Sequence, residues 1–220
     1  MFSYLYHFSL YPAVARATVR NDGELALLLT GSCRLTAWGG MLGALALTLF
    51  AEPLIIFAMG EKMAPAAPML RIMAWMLPVS LCSGHARAAL VAAGAQKRVL
   101  WSQLTALAVT VAFALLLGPR HQGVGYAYAA LDGFVAVWVA MHLHAERINA
   151  SPPSFLLVLK PVLLATVIVA AHEWAWPGPW TALAGVALFA AAAPLLDRRL
   201  GRDIRALGNA KLDVSAIGRS

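Results

Sequence analysis

The chain has 220 residues, of which 61% are hydrophobic and 12% charged, with a mean hydropathy of +0.73. A water-soluble domain carries about 25% charged and about 45–50% apolar residues, so too little polar surface exists here to coat a globule of this size. The net charge of +7 sits in a basic tail and in short gaps between apolar runs. That distribution excludes a nucleic-acid groove, and the composition excludes a soluble enzyme, a disordered chain and a disulfide scaffold.

The chain opens with an aromatic run, Met1 to Ala15, ending at Tyr11-Pro12. It is too short to span and lacks the basic start and small-residue cleavage site of a signal peptide, so it is expected to be the end of a partial helix. Residues 16–34 read as a cytosolic connecting segment, with a turn at Asn21-Asp22-Gly23 and an interfacial helix from Glu24. Six apolar runs follow, at 35–58, 69–93, 99–117, 123–144, 155–172 and 179–196. Only helices or closed barrels satisfy every backbone group in lipid, and the alternating ten-residue strands of a barrel are absent. The predicted fold class is therefore all-α: a polytopic transmembrane bundle at 35–196, six full spans plus the partial N-terminal helix. Residues 197–220 form a basic tail.

Orientation follows from the cations. With the tail in the cytosol, Arg16, Arg20, Arg34, Lys97, Arg98 and Arg147 join the six tail cations on the inner side. Only Lys62, Arg71 and Arg120 fall outside. That bias assigns both ends to the cytosol. Trp174, Trp176 and Trp180 then mark an outer turn free of Lys and Arg, where amphipathic rings favour the headgroup layer.

Small residues recur at helical spacing in Gly39/Gly43 and in Gly125/Ala129/Gly133. Such stripes let helices approach closely, as plain packing or as a sliding interface. Pro53, Pro78, Pro161 and Pro194 each remove a backbone donor and are positions where a helix can kink. Ionisable groups at depth cost about 2.5–3.5 kcal/mol on insertion scales. Asp132 falls near the bilayer midplane and Arg87 about 9 Å from the inner end of its span, at about 1.5 Å per residue. Both are candidate substrate-binding residues facing an aqueous cavity. The alternatives are a hydrogen-bonded structural carboxyl for Asp132 and snorkelling to lipid phosphates for Arg87. His85 reads as a packing histidine, Lys160 as a snorkelling cation, and Glu52 as a wet residue near an outer helix end. His142 and His144 stand two apart, a poor spacing for a metal, and Cys33 and Cys82 fit no metal or redox motif. No metal, cofactor or catalytic residue is assigned, since no nucleophile elbow, phosphate loop or zinc-protease motif occurs.

Several ordered landmarks carry a resemblance. The run Ala51-Glu52-Pro53-Leu54-Ile55, then Gly60-Glu61-Lys62-Met63-Ala64-Pro65-Ala66-Ala67-Pro68-Met69-Leu70-Arg71-Ile72, resembles the polysaccharide (O-antigen type) flippase family. That family lies within the multidrug/oligosaccharidyl-lipid/polysaccharide exporter superfamily. Ala93-Gly94-Ala95-Gln96-Lys97-Arg98 and Gly123-Val124-Gly125-Tyr126-Ala127-Tyr128-Ala129 agree in order, as do Tyr11-Pro12-Ala13-Val14-Ala15-Arg16 and Asn21-Asp22-Gly23-Glu24 upstream. The similarity covers about residues 8–210 and corresponds to the C-terminal part of a two-lobed transporter.

The resemblance implies transport of polyprenyl-pyrophosphate-linked oligosaccharide across the bacterial inner membrane, for polysaccharide or lipopolysaccharide biosynthesis. The implied partners are the lipid bilayer, the lipid-linked oligosaccharide and a missing N-terminal lobe, in cis or in trans. On chemistry and depth, Arg87 suits the phosphate end and Asp132 suits sugar hydroxyls or a coupling ion. A drug/cation antiporter of the same superfamily and a non-transporting membrane remnant are the alternatives.

Overall fold

A computed structural model describes residues 24–148, 154–175 and 178–203. The partial helix expected at 1–15, Trp176, and the tail cations Arg205, Lys211 and Arg219 lie outside the described residues. Within them every regular element is helical. Helix α1 is Glu24–Leu49 and α2 is Ala51–Met59. A 3₁₀ segment, Glu61–Ala66, leads into α3, Ala67–Ala74, and α4, Met76–Ala92. Helix α5 is Gln96–Glu146, α6 is Ser154–Ala175 and α7 is Pro179–Leu196.

Four stretches are long and apolar enough to cross a membrane: Glu61–Ala92, α5, Phe155–Trp174 and α7. A fifth exists if α1 and α2, bent by 70° from one another, form one span. The sequence predicts six. The difference lies in 99–117 and 123–144, predicted as two spans and joined here in α5, because the backbone leaves helical geometry at one residue only, Gln122 (φ 49°, ψ −129°).

That single residue nevertheless turns the chain back on itself. The Arg98 guanidinium Nη1 donates to the His144 carbonyl at 3.2 Å, and Ser102 Oγ lies 3.3 Å from His144 Nδ1. Nearer the turn, a methyl group on Gly133 would strike Thr110 Oγ1, and one on Gly125 would strike the Leu117 carbonyl. Pairs 98/144, 110/133 and 117/125 converge on residue 122, as the arms of an antiparallel hairpin must. Gly125, Ala129 and Gly133 are all buried along this seam, so the predicted small-residue stripe is a close-packing surface between the arms.

The other predicted stripe is offset by one residue. Gly40 and Gly43 let α1 approach α4, with Pro78 Cα and Leu77 Cδ2 lying 3.0 and 2.8 Å from the added methyl positions. Gly39 is exposed and meets nothing within 4 Å.

Two of the four flagged prolines coincide with breaks. Proline cannot donate to the carbonyl four residues back, and its ring crowds that carbonyl. The α1/α2 break at Phe50 precedes Pro53 by three residues, and the α3/α4 break at Trp75 precedes Pro78 by three. Helices α6 and α7 run through Pro161 and Pro194 without a break.

Helix α1 is the hub and touches α2, α3, α4, α6 and α7. Its buried residues Ala37, Met41, Leu45 and Leu49 repeat every fourth position, and Trp38 packs against Phe189 of α7 with ring centroids 5.5 Å apart. Val158, Ala165 and Ile168 of α6 close the same core. The α5 hairpin sits to one side, where Val137, Met141 and Ala145 pack on Ala86 and Leu90 of α4. Its outward face stays bare: only 11% of the most apolar stretch of α5 is buried.

Helical hydroxyls satisfy themselves within their own helices. Thr36, Thr48, Ser102, Thr105 and Thr166 each donate to the carbonyl four residues back, at 2.8 to 3.0 Å. Thr105 and Thr166 do so while exposed, the arrangement a hydroxyl needs where the surroundings offer no water.

The hairpin seam gives a graded expectation. Gly125→Ala forces a methyl against backbone that cannot rotate away and costs about 1–3 kcal/mol. Gly39→Ala meets open space and is neutral, or stabilising by up to about 1 kcal/mol through helix propensity. Gln122→Gly relieves the left-handed backbone and stabilises by about 1–2 kcal/mol. Thermal midpoints in detergent check all three, and equal effects of the two Gly→Ala changes would mean the arms do not pack.

Candidate functional site

The end of the bundle where α1 begins and α7 finishes holds two of the four ion pairs found among the described residues. Arg34 of α1 has only 7% of its side chain exposed. Its Nη1 donates to Asp203 Oδ2 at 2.8 Å. Its Nε lies 3.2 Å from Asp197 Oδ2 but is not aligned to hydrogen-bond with it, so that contact is Coulombic. Sequence alone marks Arg34 only as one of twelve inner cations; its burial comes from α6 and α7 closing around α1.

Local chemistry explains why the carboxylates stand there. Asp197 ends α7, its backbone N–H still donating to Ala193 O at 3.0 Å. Its Oδ1 then accepts from the Arg199 N–H at 3.2 Å, and its carbonyl from the Leu200 N–H at 2.9 Å, starting another helical turn. An aspartate is suited to this, because its short side chain reaches its own backbone two residues on. That turn carries Asp203 back to Arg34.

Lys160 of α6 donates from Nζ to the Leu196 carbonyl at 3.2 Å. The expected snorkelling cation thus caps an orphan carbonyl in the last turn of α7, where the helix dipole favours positive charge. Between these groups lies a cavity of about 430 Å³. Arg34, Lys160, Arg198 and Arg199 line it with Asp197, and leucines of α6 and α7 form the rest of its wall.

The two residues singled out for binding fall elsewhere. Arg87 is exposed on α4 between buried Ala86 and Ala88, so its side chain leaves the bundle. Asp132 is partly buried on the second arm of α5, beside the seam residue Gly133. Neither forms a side-chain hydrogen bond or ion pair with a described residue, and neither lines the cavity between Arg34 and Lys160.

The histidines are internally bonded. His85 is fully buried; its Nδ1 meets the Leu81 carbonyl at 3.0 Å and its Nε2 the Ser32 hydroxyl at 2.9 Å. A carbonyl only accepts, so Nδ1 carries the proton, and a neutral ring then accepts from Ser32. This is the packing histidine the sequence suggests, tying α4 to α1. His142 stacks edge-on to Phe155 and lies 3.0 Å from Glu146, whereas His144 faces Ser102 on the opposite arm.

At the other end of the bundle Arg71 reaches Glu173 at 3.4 Å, both exposed. Trp174 and Trp180 flank this end at 96% and 81% exposure. Glu52, also exposed, sits in α2.

Comparison with protein-family models, with curated proteins and with solved structures yields no match.

The Arg34 cluster predicts coupling. Asp197 and Asp203 keep partial contact with solvent, at 16% and 26% exposure, so either can rehydrate when Arg34 is removed. Arg34→Ala should cost about 1–3 kcal/mol, below the cost of breaking a fully buried pair. In a cycle with Asp203→Asn the two changes should be non-additive by about 1 kcal/mol or more, read from melting midpoints.

Proposed function

We propose that this chain is one lobe of a membrane transporter that moves polyprenyl-pyrophosphate-linked oligosaccharide across the bacterial inner membrane. In this reading the chain crosses the bilayer six times. An unbroken helix of 51 residues would run about 77 Å, more than twice the hydrocarbon thickness of about 30 Å. The reversal at Gln122 instead divides α5 into arms of about 39 and 36 Å, each sufficient for one crossing. The bent α1/α2 pair, the stretch 61–92, α6 and α7 supply the other four. Both ends then lie on the cytosolic side with Arg34 and Lys160, while Arg71 and the exposed tryptophans face outward.

The observation that carries the substrate class is the cationic cavity beside bare apolar helices. A transporter of a phosphorylated lipid has to attract an anionic head at the cytosolic face while its tail stays in hydrocarbon, and this end of the bundle offers both surroundings. The order of landmarks resembling the polysaccharide flippases supports the glycan as cargo. Outward-facing Arg87 on α4 supports a second lobe meeting this face, with the guanidinium then turned toward the space between lobes. Asp132 remains the acidic group nearest the membrane midplane.

Complementation tests the reading. In a bacterial strain lacking its lipid-linked-oligosaccharide flippase, the chain co-expressed with a candidate N-terminal lobe should restore surface polysaccharide. Arg87→Ala and Asp132→Asn should each lower that polysaccharide at least about tenfold, a loss worth about 1.4 kcal/mol. Membrane insertion without rescue in any pairing would instead favour an antiporter or a non-transporting protein.

A further inference from the structure

The cavity beneath α6 and α7 combines charge and oil in one place. Four cations line it, and two of them are already engaged: Arg34 by Asp197 and Asp203, Lys160 by the Leu196 carbonyl. Lys160 has further N–H donors beyond that single bond. Arg198 and Arg199 are exposed, and their guanidinium groups have no partner among the described residues. With both aspartates counted against the four cations, two positive charges remain uncompensated among the described residues.

The wall of the cavity narrows the choice of anion. Leu156 and Leu195 line it while 72% and 77% exposed, on helix faces that the membrane placement turns toward hydrocarbon. A free inorganic anion would use the arginines and gain nothing from these leucines. An amphiphile would use both, its head against Arg198 and Arg199 and its first methylenes along the leucines.

We propose that this cavity binds the phosphate head of an anionic lipid from the adjacent leaflet. Guanidinium groups suit this ligand because each can present two parallel donors to a phosphate. The lipid would join the start of α6 to the end of α7 beside the Asp197 turn, bridging by phosphate two elements that the protein itself joins there through Lys160. The assignment rests on the same cavity as the transport reading, but it requires only that the chain lie in a membrane and not that the bound lipid be carried across it.

Native mass spectrometry of the full chain in nonionic detergent tests it, with dioleoyl phosphatidic acid as probe and dioleoyl phosphatidylcholine as the zwitterionic control. Phosphatidic acid should be retained in preference to phosphatidylcholine. Arg198→Gln/Arg199→Gln should weaken its retention about tenfold, while Arg71→Gln at the opposite end leaves it unchanged. The double variant alters exposed side chains only, and an unshifted melting midpoint without lipid establishes that it is folded. Equal retention of the two lipids, or equal losses in the double variant and Arg71→Gln, would overturn the proposal. Inorganic phosphate binding at this end without phosphatidic acid would overturn the lipid assignment and leave a free-anion site. Loss of lipid binding and loss of complementation are separate readouts, so either idea can fail without the other.

Discussion

The backbone of a chain in hydrocarbon has no water to bond, and the rest of this structure depends on that constraint. Every described regular element is a helix, and hydroxyls within the helices turn back on their own carbonyls, as Thr105 and Thr166 do on exposed faces. Where the helix must stop, it does so over very few residues. Phe50 and Trp75 each interrupt the ladder three residues before a proline, and Gln122 reverses the chain in one step. The cost of such a step is a left-handed backbone at a non-glycine residue, and it is offset by the long packed seam that follows.

That seam shows how glycine serves a bundle without a hydrophobic driving force between its members. Lipid tails are as apolar as leucine side chains, so helices gain from contact chiefly when their backbones come close. Gly125 and Gly133 bring the arms of α5 together, and Gly40 and Gly43 bring α1 onto α4. The bundle that results is asymmetric. Helix α1 is enclosed by five neighbours, whereas the α5 hairpin rests on α3 and α4 and leaves its outer side bare. Lipid or another protein has to cover that side.

Polar chemistry is divided between the two ends. One end holds an exposed Arg71–Glu173 pair, of the kind worth little in water. The other holds Arg34 shielded between α1 and the Asp197–Asp203 turn, with Lys160 on the end of α7. Removing water from Arg34 raises the consequence of losing either aspartate, so this cluster fixes where α7 ends against α1. Arg198 and Arg199, exposed beside it and without a partner among the described residues, stand where an anionic head could meet them.

Composition and periodicity by themselves determined the all-helical class and the apolar stretches, because these depend on local residue content and on the thickness of a bilayer. The small-residue stripe from Gly125 to Gly133 and the packing role of His85 were legible for the same reason: spacing along one helix fixes which residues share a face. Only the tertiary structure decided what those faces meet. It set the turn at one residue, Gln122, inside the gap that the sequence leaves between the spans predicted at 99–117 and 123–144, and it moved the α1 contact from Gly39 to Gly40. It drew Arg34 to Asp197 and Asp203, over 160 residues away in the chain. A buried ion pair between distant segments leaves no local pattern, since the burial of each partner is created by the packing of the other.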